Sequence, residues 1–260
     1  DMSPQTERKS LEAHLKLFDS RVRSTVKPPT GDEMKRCSAI VAEMMKAASF
    51  IPDEDYDQTA GISDVINSSI IDPKKASGYP YCTQGQPTNK QVLGAYGELG
   101  FAKHVLNEWD NLRFEVKNFL KGEPTKLSKL EKGMPRCIEG FPLHVTVKHA
   151  SVFRRFSIAL VKQWRNTPVK FAFAPGNTGH IEHLASVLPG AVWESDKSNW
   201  DYMMSLWMAN CTRDTIKLLA LKPPSWSEDQ YNKYLADIDG CFKQVFEEAV
   251  YRTSDGTSFE

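Results

Sequence analysis

The apolar positions of this chain recur mostly at helical spacing. Leu11, Leu15, Phe18 and Val22 fall three to four apart and predict an N-terminal helix that Pro28-Pro29 stops. A second amphipathic helix is expected from about Gly31 to Phe50, with Ile40, Val41, Met44, Met45 and Ala48 as its buried stripe. The acidic, polar run from Pro52 to Gly61 reads as an exposed connection. Ile71 to Tyr81 reads as a turn-rich segment in which Gly78 and Pro80 bracket Tyr79 and hold it near Lys74 and Lys75. Val105, Trp109, Leu112, Val116 and Phe119 predict a helix ending at Lys121, and Val147, Ala150, Phe153, Phe156, Leu160 and Trp164 a longer one. After a turn at Pro175-Gly176-Asn177, the alternation beginning at Val192 predicts a short strand. Met204, Trp207, Cys211, Ile216 and Leu219 then suit a helix that Pro223-Pro224 ends. Ala249 to Thr253, an Asp255-Gly256 turn and the residues from Thr257 read as a hairpin.

The chain has 260 residues and 29.4 kDa, enough for one large domain or two small ones. Lys plus Arg and Asp plus Glu both number 33, so any attraction for nucleic acid must come from local charge. The five cysteines (37, 82, 137, 211, 241) form no CxxC pair, which points to free thiols and away from a zinc ribbon or disulfide framework. His180 and His183 are the closest histidine pair, but no third ligand lies near them, so they read as loop or core residues. No apolar run is long enough to cross a bilayer, and no signal-peptide pattern opens the chain.

Two stretches carry candidate chemistry. In Val192 to Asp201 the strand delivers Asp196 at its end, Ser198 and Asn199 bend the chain, and Asp201 follows. Two carboxylates in those positions can face one cavity and hold a hard cation against a phosphate, because Mg²⁺ takes oxygen ligands and keeps phosphates in its shell. Two aspartates at this spacing also arise as solvated turn residues. In Lys121 to Ile138, Pro and Gly recur too often for one continuous helix, while cations return at 121, 126, 129, 132 and 136. Such an extended loop presents positive charge, partly neutralised by Glu123 and Glu131. It reads either as a solvated basic loop or as a triphosphate-binding rim, with Lys as mobile point charge and Arg136 as a rigid fork. Lys74, Lys75 and Tyr79 form a lesser candidate: aromatics beside lysines can support a nucleic-acid strand, and they also occur in packed surface turns.

The order Lys121, Glu123, Lys129, Gly133, Arg136, Ile138 resembles motif F of the RNA-dependent RNA polymerases of positive-strand RNA viruses. The wording Lys121 to Leu130 is most similar to the sobemovirus and polerovirus group, with picornavirus-like polymerases a more distant match. Val192 to Asp201 resembles motif A, with Asp196 and Asp201 at the family's two aspartate positions. Ser77 to Tyr81 is similar to the fingers turn of that group, although Ser77 replaces the usual Pro, and Ser254 to Thr257 resembles the lead into motif B. No Gly-Asp-Asp and no Ser-Gly…Thr…Asn run occurs, so motifs B and C are missing.

The resemblance implies a helix-rich α+β fold comprising the fingers (1–190, with the motif F loop 121–138) and the start of the palm (191–260) of a right-hand polymerase. It implies RNA-templated attack of a 3′-hydroxyl on the α-phosphate of an NTP, with two Mg²⁺ ions, or Mn²⁺ in their place. Asp196 would ligate the metals, with the backbone carbonyl of Lys197 as a further ligand. Asp201 and Asn199 would recognise the ribose, Lys121 and Arg136 the triphosphate with Lys126 and Lys129 in support, and Lys74, Lys75 and Tyr79 the RNA. The implied partners are template RNA, nascent RNA, NTPs, the rest of the polymerase with its motifs B and C and thumb, and other viral replication proteins. The implied place is the host cytoplasm, in a membrane-associated replication complex, and the fragment alone is expected to be inactive. A reverse transcriptase would place a bulky aromatic gate where this chain has Asn199 beside Asp201. A non-catalytic RNA-binding or scaffold module is the alternative that the missing motif C favours.

Overall fold

The computed structural model describes residues 3–20, 27–188, 190 and 204–260. They form a helix-rich α+β chain that divides into two units, Asp1–Lys27 with Asp53–Val152 and Ser227–Glu260, and Pro28–Pro52 with Phe153–Trp226.

The first unit is built on a four-stranded sheet of β1 (Phe114–Leu120), β2 (Cys137–Gly140), β3 (Ala249–Arg252) and β4 (Ser258–Phe259), in the order β2-β1-β3-β4. β1 pairs antiparallel with β2 and parallel with β3, and β3 and β4 make the hairpin expected from the sequence, turning at Gly256 with φ 88°. β1 corrects the helix expected to run on to Lys121. Val105 does belong to a helix, α5 (Glu98–Asn107), but burial then alternates through Phe114, Val116, Asn118 and Leu120. Trp109 and Leu112 bridge the two periods by coincidence. Partners on both edges of β1, supplied from residues 137–140 and 249–252, decide the matter in favour of the strand. Phe114 and Val116 pack with Val145, Phe141, Ala249 and Tyr251 to form the core on that face.

The acidic segment after Pro52 is also corrected, because it is anchored rather than exposed. Tyr56 is buried, and its hydroxyl donates to Asp237 Oδ2 at 2.6 Å, while Trp109 Nε1 donates to Oδ1 of the same carboxylate at 3.1 Å. Lys233 Nζ lies 2.9 Å from both Asp57 and Asp237. Asp237 and Lys233 belong to α10 (Glu228–Phe246), which starts in a Ser227/Gln230 capping box and buries Tyr234, Ile238, Cys241 and Gln244. A further helix, α3 (Thr59–Ile66), follows directly and buries Ile62, Val65 and Ile66. The five cysteines are free thiols.

Two histidines of α7 (Leu143–Lys162), in its half belonging to this unit, are held neutral at pH 7. Burial, helped by His104 and Lys148, holds His144 down to about 4 from its ordinary 6.5. Burial and Lys148 hold His149 at about 4 as well, against its hydrogen bond with Gln244. The unfolded chain therefore binds protons that the folded chain refuses. The stability these neutral rings permit is whole above 6.5 and is lost as pH falls toward 4, at about 1.4 kcal/mol per pH unit for each. Urea denaturation at pH 7, 5.5 and 4.5 should show this decline, and His149→Gln should make it shallower. An unchanged slope in the variant would remove His149 from the account.

In the second unit α2 (Gly31–Met44) packs on α9 (Leu206–Leu219). The contact corrects the expected stripe on α2. Ser38 is 1% exposed and its hydroxyl donates to the Cys211 carbonyl at 3.3 Å, whereas Ile40, Val41 and Met44 are exposed. A small side chain at the contact permits the close approach that Thr215 Oγ1 to the Ser38 carbonyl (3.5 Å) records. Met45 and Ala48 are buried as expected, Met45 capping and Ala48 ending the short 3₁₀ helix Lys46–Ala48 that follows. Phe50 then bonds into the end of α9, its N–H to the Leu219 carbonyl at 3.1 Å, and its ring meets Phe156. The Pro175-Gly176-Asn177 turn leads into α8 (Thr178–Val187), where His180 and His183 pack on Trp164 with ring centroids 4.4 and 5.1 Å away.

Candidate functional site

The sheet positions the cationic loop. β1 and β2 remain paired up to Leu120 and Cys137, and one step further the Lys121 N–H donates to the Arg136 carbonyl at 2.9 Å. That bond closes the neck of the loop and sets Lys121 and Arg136 opposite each other. Glu123 lies between them, with Oε2 at 2.7 Å from Lys121 Nζ and Oε1 at 3.3 Å from Arg136 Nη1. The hydrogen bond from Lys121, with the charges of Lys121, Arg136 and Lys129, holds the Glu123 carboxyl below the usual carboxylate range. One carboxylate thus keeps two cations close together while the Arg136 side chain stays 61% exposed and open to an anion.

Beyond the neck, Pro124 and Pro135 break regular structure, and a single helical turn, α6 (Leu127–Glu131), forms at the far end. Lys126 precedes α6 and accepts from the Lys129 N–H at 2.9 Å; Gly133, at φ 64°, turns the chain back. Lys126, Lys129 and Lys132 are exposed. Five cations against the two carboxylates Glu123 and Glu131 leave 121–138 with a net charge of plus three.

Lys74, Lys75 and Tyr79 sit on a different turn. The Lys74 N–H donates to Asp72 Oδ1 at 2.9 Å, and both lysines are exposed. Tyr79 is half-buried under the Arg252 guanidinium, 5.9 Å from its ring centroid, and Arg252 is held in turn by Glu115 at 2.9 Å. Sequence reading missed Arg252, because its alternating strand gave no sign of which distant turn it would meet. Below Tyr79 the turn is fixed on three sides. The Leu143 N–H donates to the Ser77 carbonyl at 2.9 Å, the Ser77 hydroxyl donates to Gln86, and the Tyr81 hydroxyl bonds His104 Nε2 and His144 Nδ1 at 2.9 and 2.8 Å. Gly78 is required here, since its φ is +71° and a Cβ would stand 2.5 Å from the Phe141 carbonyl oxygen. Gly78→Ala is expected to destabilise the protein by about 2 kcal/mol or more, read as a lowered urea midpoint. A midpoint equal to that of the parent would show that the turn can relax.

Asp196, Lys197, Asn199 and Asp201 lie outside the described residues, as does the strand expected to carry them. Their donor set, carboxylate and carbonyl oxygen, has the hard-ligand chemistry that suits Mg²⁺. Among the described residues no group of three or more His, Cys, Asp or Glu side chains is placed to hold a metal ion. Nor, among them, is any helix long and apolar enough to cross a membrane.

The family model for viral RNA-dependent RNA polymerase matches residues 23–258. The chain belongs to the viral RNA-dependent RNA polymerases. Its fold is similar to that of the Sicinivirus 3Dpol RNA-dependent RNA polymerase, with a TM-score of 0.63 at 18% identity, over 85% of this chain and 47% of that one. The chain therefore spans about half the length of the solved polymerase it matches, and its sheet and helices are part of a right-hand polymerase fold. No curated protein sequence matches it.

Proposed function

We propose that residues 1–190 form the fingers and 191–260 the opening of the palm of an RNA-directed RNA polymerase that copies a viral RNA genome from NTPs. The observation that carries this reading is the loop neck, where a backbone bond and one shared carboxylate hold Lys121 and Arg136 side by side with Arg136 still open to an anion. An incoming triphosphate takes up the free donors of both cations. Arg136 offers its planar fork to phosphate oxygens, Lys121 a point charge, and Lys126 and Lys129 add attraction from the outer loop. The wording of residues 121–130 supports a place nearest the sobemovirus and polerovirus group.

In this reading Asp196 and the Lys197 carbonyl hold divalent ions, Mg²⁺ or Mn²⁺, which when bound neutralise charge at the reacting phosphate. Asp201 and Asn199 recognise the ribose 2′-hydroxyl, which both donates and accepts hydrogen bonds. Lys74, Lys75 and Tyr79, with Arg252 above the ring, contact the RNA strand. Template RNA, nascent RNA and the remainder of the polymerase are the partners. The setting is a replication complex in the host cytoplasm, with other viral replication proteins.

The test is templated incorporation by the complete polymerase with each ribonucleotide and its deoxy counterpart, beside the 260-residue chain alone. Preference for ribonucleotides by the complete enzyme and no incorporation by the fragment are expected. Equal use of both sugars would remove Asp201 and Asn199 from ribose recognition, and an active fragment would overturn the division of labour.

A further inference from the structure

Helix α1 (Pro4–Phe18) buries a face that apolar packing alone would not select. The helical spacing of Leu11, Leu15, Phe18 and Val22 points to an apolar stripe, of which Val22 lies outside the described residues. The buried positions are Glu7, Ser10, Leu11 and His14, spaced i, i+3, i+4, i+7, each at most 5% exposed. Three of the four are polar, and buried polar groups are costly without partners, so their partners show what the helix holds. Glu7 gives both oxygens to one residue: Oε1 accepts from the Ser254 N–H and Oε2 from the Ser254 hydroxyl, each at 2.8 Å. One turn along, the Ser10 hydroxyl donates to the Pro135 carbonyl at 2.6 Å. Arg8, between them in sequence, lies 3.3 Å from Asp255.

We propose that α1 is a positioning element for Arg136, with Ser10 as the residue that acts on it and Glu7 as the anchor that fixes the helix. The inference rests on the reading of Arg136 as a phosphate-binding residue. The Pro135 carbonyl belongs to the planar peptide that leads into Arg136. The carbonyl of Arg136 itself is held by the Lys121 N–H at 2.9 Å. Both peptide planes flanking the Arg136 Cα are therefore fixed, one by α1 and one by the loop neck, and the guanidinium keeps only its side-chain torsions. The anchor is equally defined. Ser254 sits in the β3–β4 turn, where Asp255 Oδ1 accepts from Thr253 Oγ1 at 2.6 Å and from the Thr257 N–H at 3.0 Å. α1 precedes the span matched by the polymerase family, which begins at residue 23.

The experiment uses the complete polymerase carrying Ser10→Ala, Arg136→Ala or both, with single-nucleotide incorporation measured across a concentration series of each NTP. Ser10→Ala is expected to raise the apparent KM about fivefold for all four NTPs, the equivalent of one neutral hydrogen bond. Its kcat should stay within about twofold and its melting temperature within about 3 °C of the parent. Added to Arg136→Ala, it should change KM no further, because the residue it positions is gone. A general structural role would instead add its full effect in that background. Glu7→Gln, which removes the charged acceptor from Ser254, is expected to show the same dependence on Arg136 and carries the test if Ser10→Ala proves unstable. Additive effects, or no change in KM with Ser10→Ala or Glu7→Gln, overturn the inference alone. An Arg136→Ala enzyme with unaltered NTP dependence overturns the reading of the loop and this inference with it.

Discussion

Replacing Asp196 by Asn in the complete polymerase is expected to abolish nucleotide incorporation, by on the order of a thousandfold or more, while RNA binding stays within a few fold of the parent. The substitution keeps size and shape and removes one negative charge. Two unit charges about 4 Å apart at an effective dielectric of ~20 interact by about 4 kcal/mol, and each ~1.4 kcal/mol is a factor of ten in rate. Loss of a single cation–carboxylate contact therefore reaches this magnitude without any change in fold. In the proposed reading, RNA binding draws on charge and stacking at other residues and does not need the Asp196 carboxylate. The measurement is single-turnover incorporation beside an RNA titration on the same preparation. Activity within a few fold of the parent would remove Asp196 from the site.

How much of this was legible in the sequence follows from how local each signal is. The loop 121–138 could be read because its Pro, Gly and cations act within a few residues of one another, and the 249–259 hairpin because Asp255-Gly256 fixes its own turn. β1 is hidden from a local reading because a helical stripe over Val105 to Phe119 fits the same residues as the alternation in Phe114 to Leu120, and only the pairing with β2 and β3 chooses between them. α10 left little trace because its buried face includes Gln244, whose amide is satisfied by the Asn111 carbonyl at 2.8 Å. The inward face of α1 was hidden for the same reason. Ser10 meets its partner 125 positions away and Glu7 meets its partner 247 positions away, distances at which no local pattern speaks.

Arg136→Lys is expected to raise the apparent KM for all four NTPs by a similar factor, and Arg136→Ala to raise it more, by about ten- to a hundredfold. A charge-assisted hydrogen bond contributes about 1.5 to 3 kcal/mol, which sets that range. Arg136 is well exposed, so solvent screening keeps the effect toward its lower end. Lysine restores the charge but not the planar fork, and its ammonium is more strongly hydrated, so part of the loss remains. Because the triphosphate is common to the four substrates, the factor should not depend on the base. Glu123 sharpens the expectation. It already holds Lys121 at 2.7 Å, so removing Arg136 leaves Lys121 alone with a carboxylate, and the neighbour cannot compensate by moving freely to the phosphate. The neck itself should survive, since the Lys121 N–H bonds the carbonyl of residue 136 whatever its side chain. Incorporation across a concentration series of each NTP, beside a separate RNA titration, separates the two roles open to the loop. Strongly weakened RNA binding with an unchanged NTP dependence would make it a template rim, with the triphosphate held elsewhere.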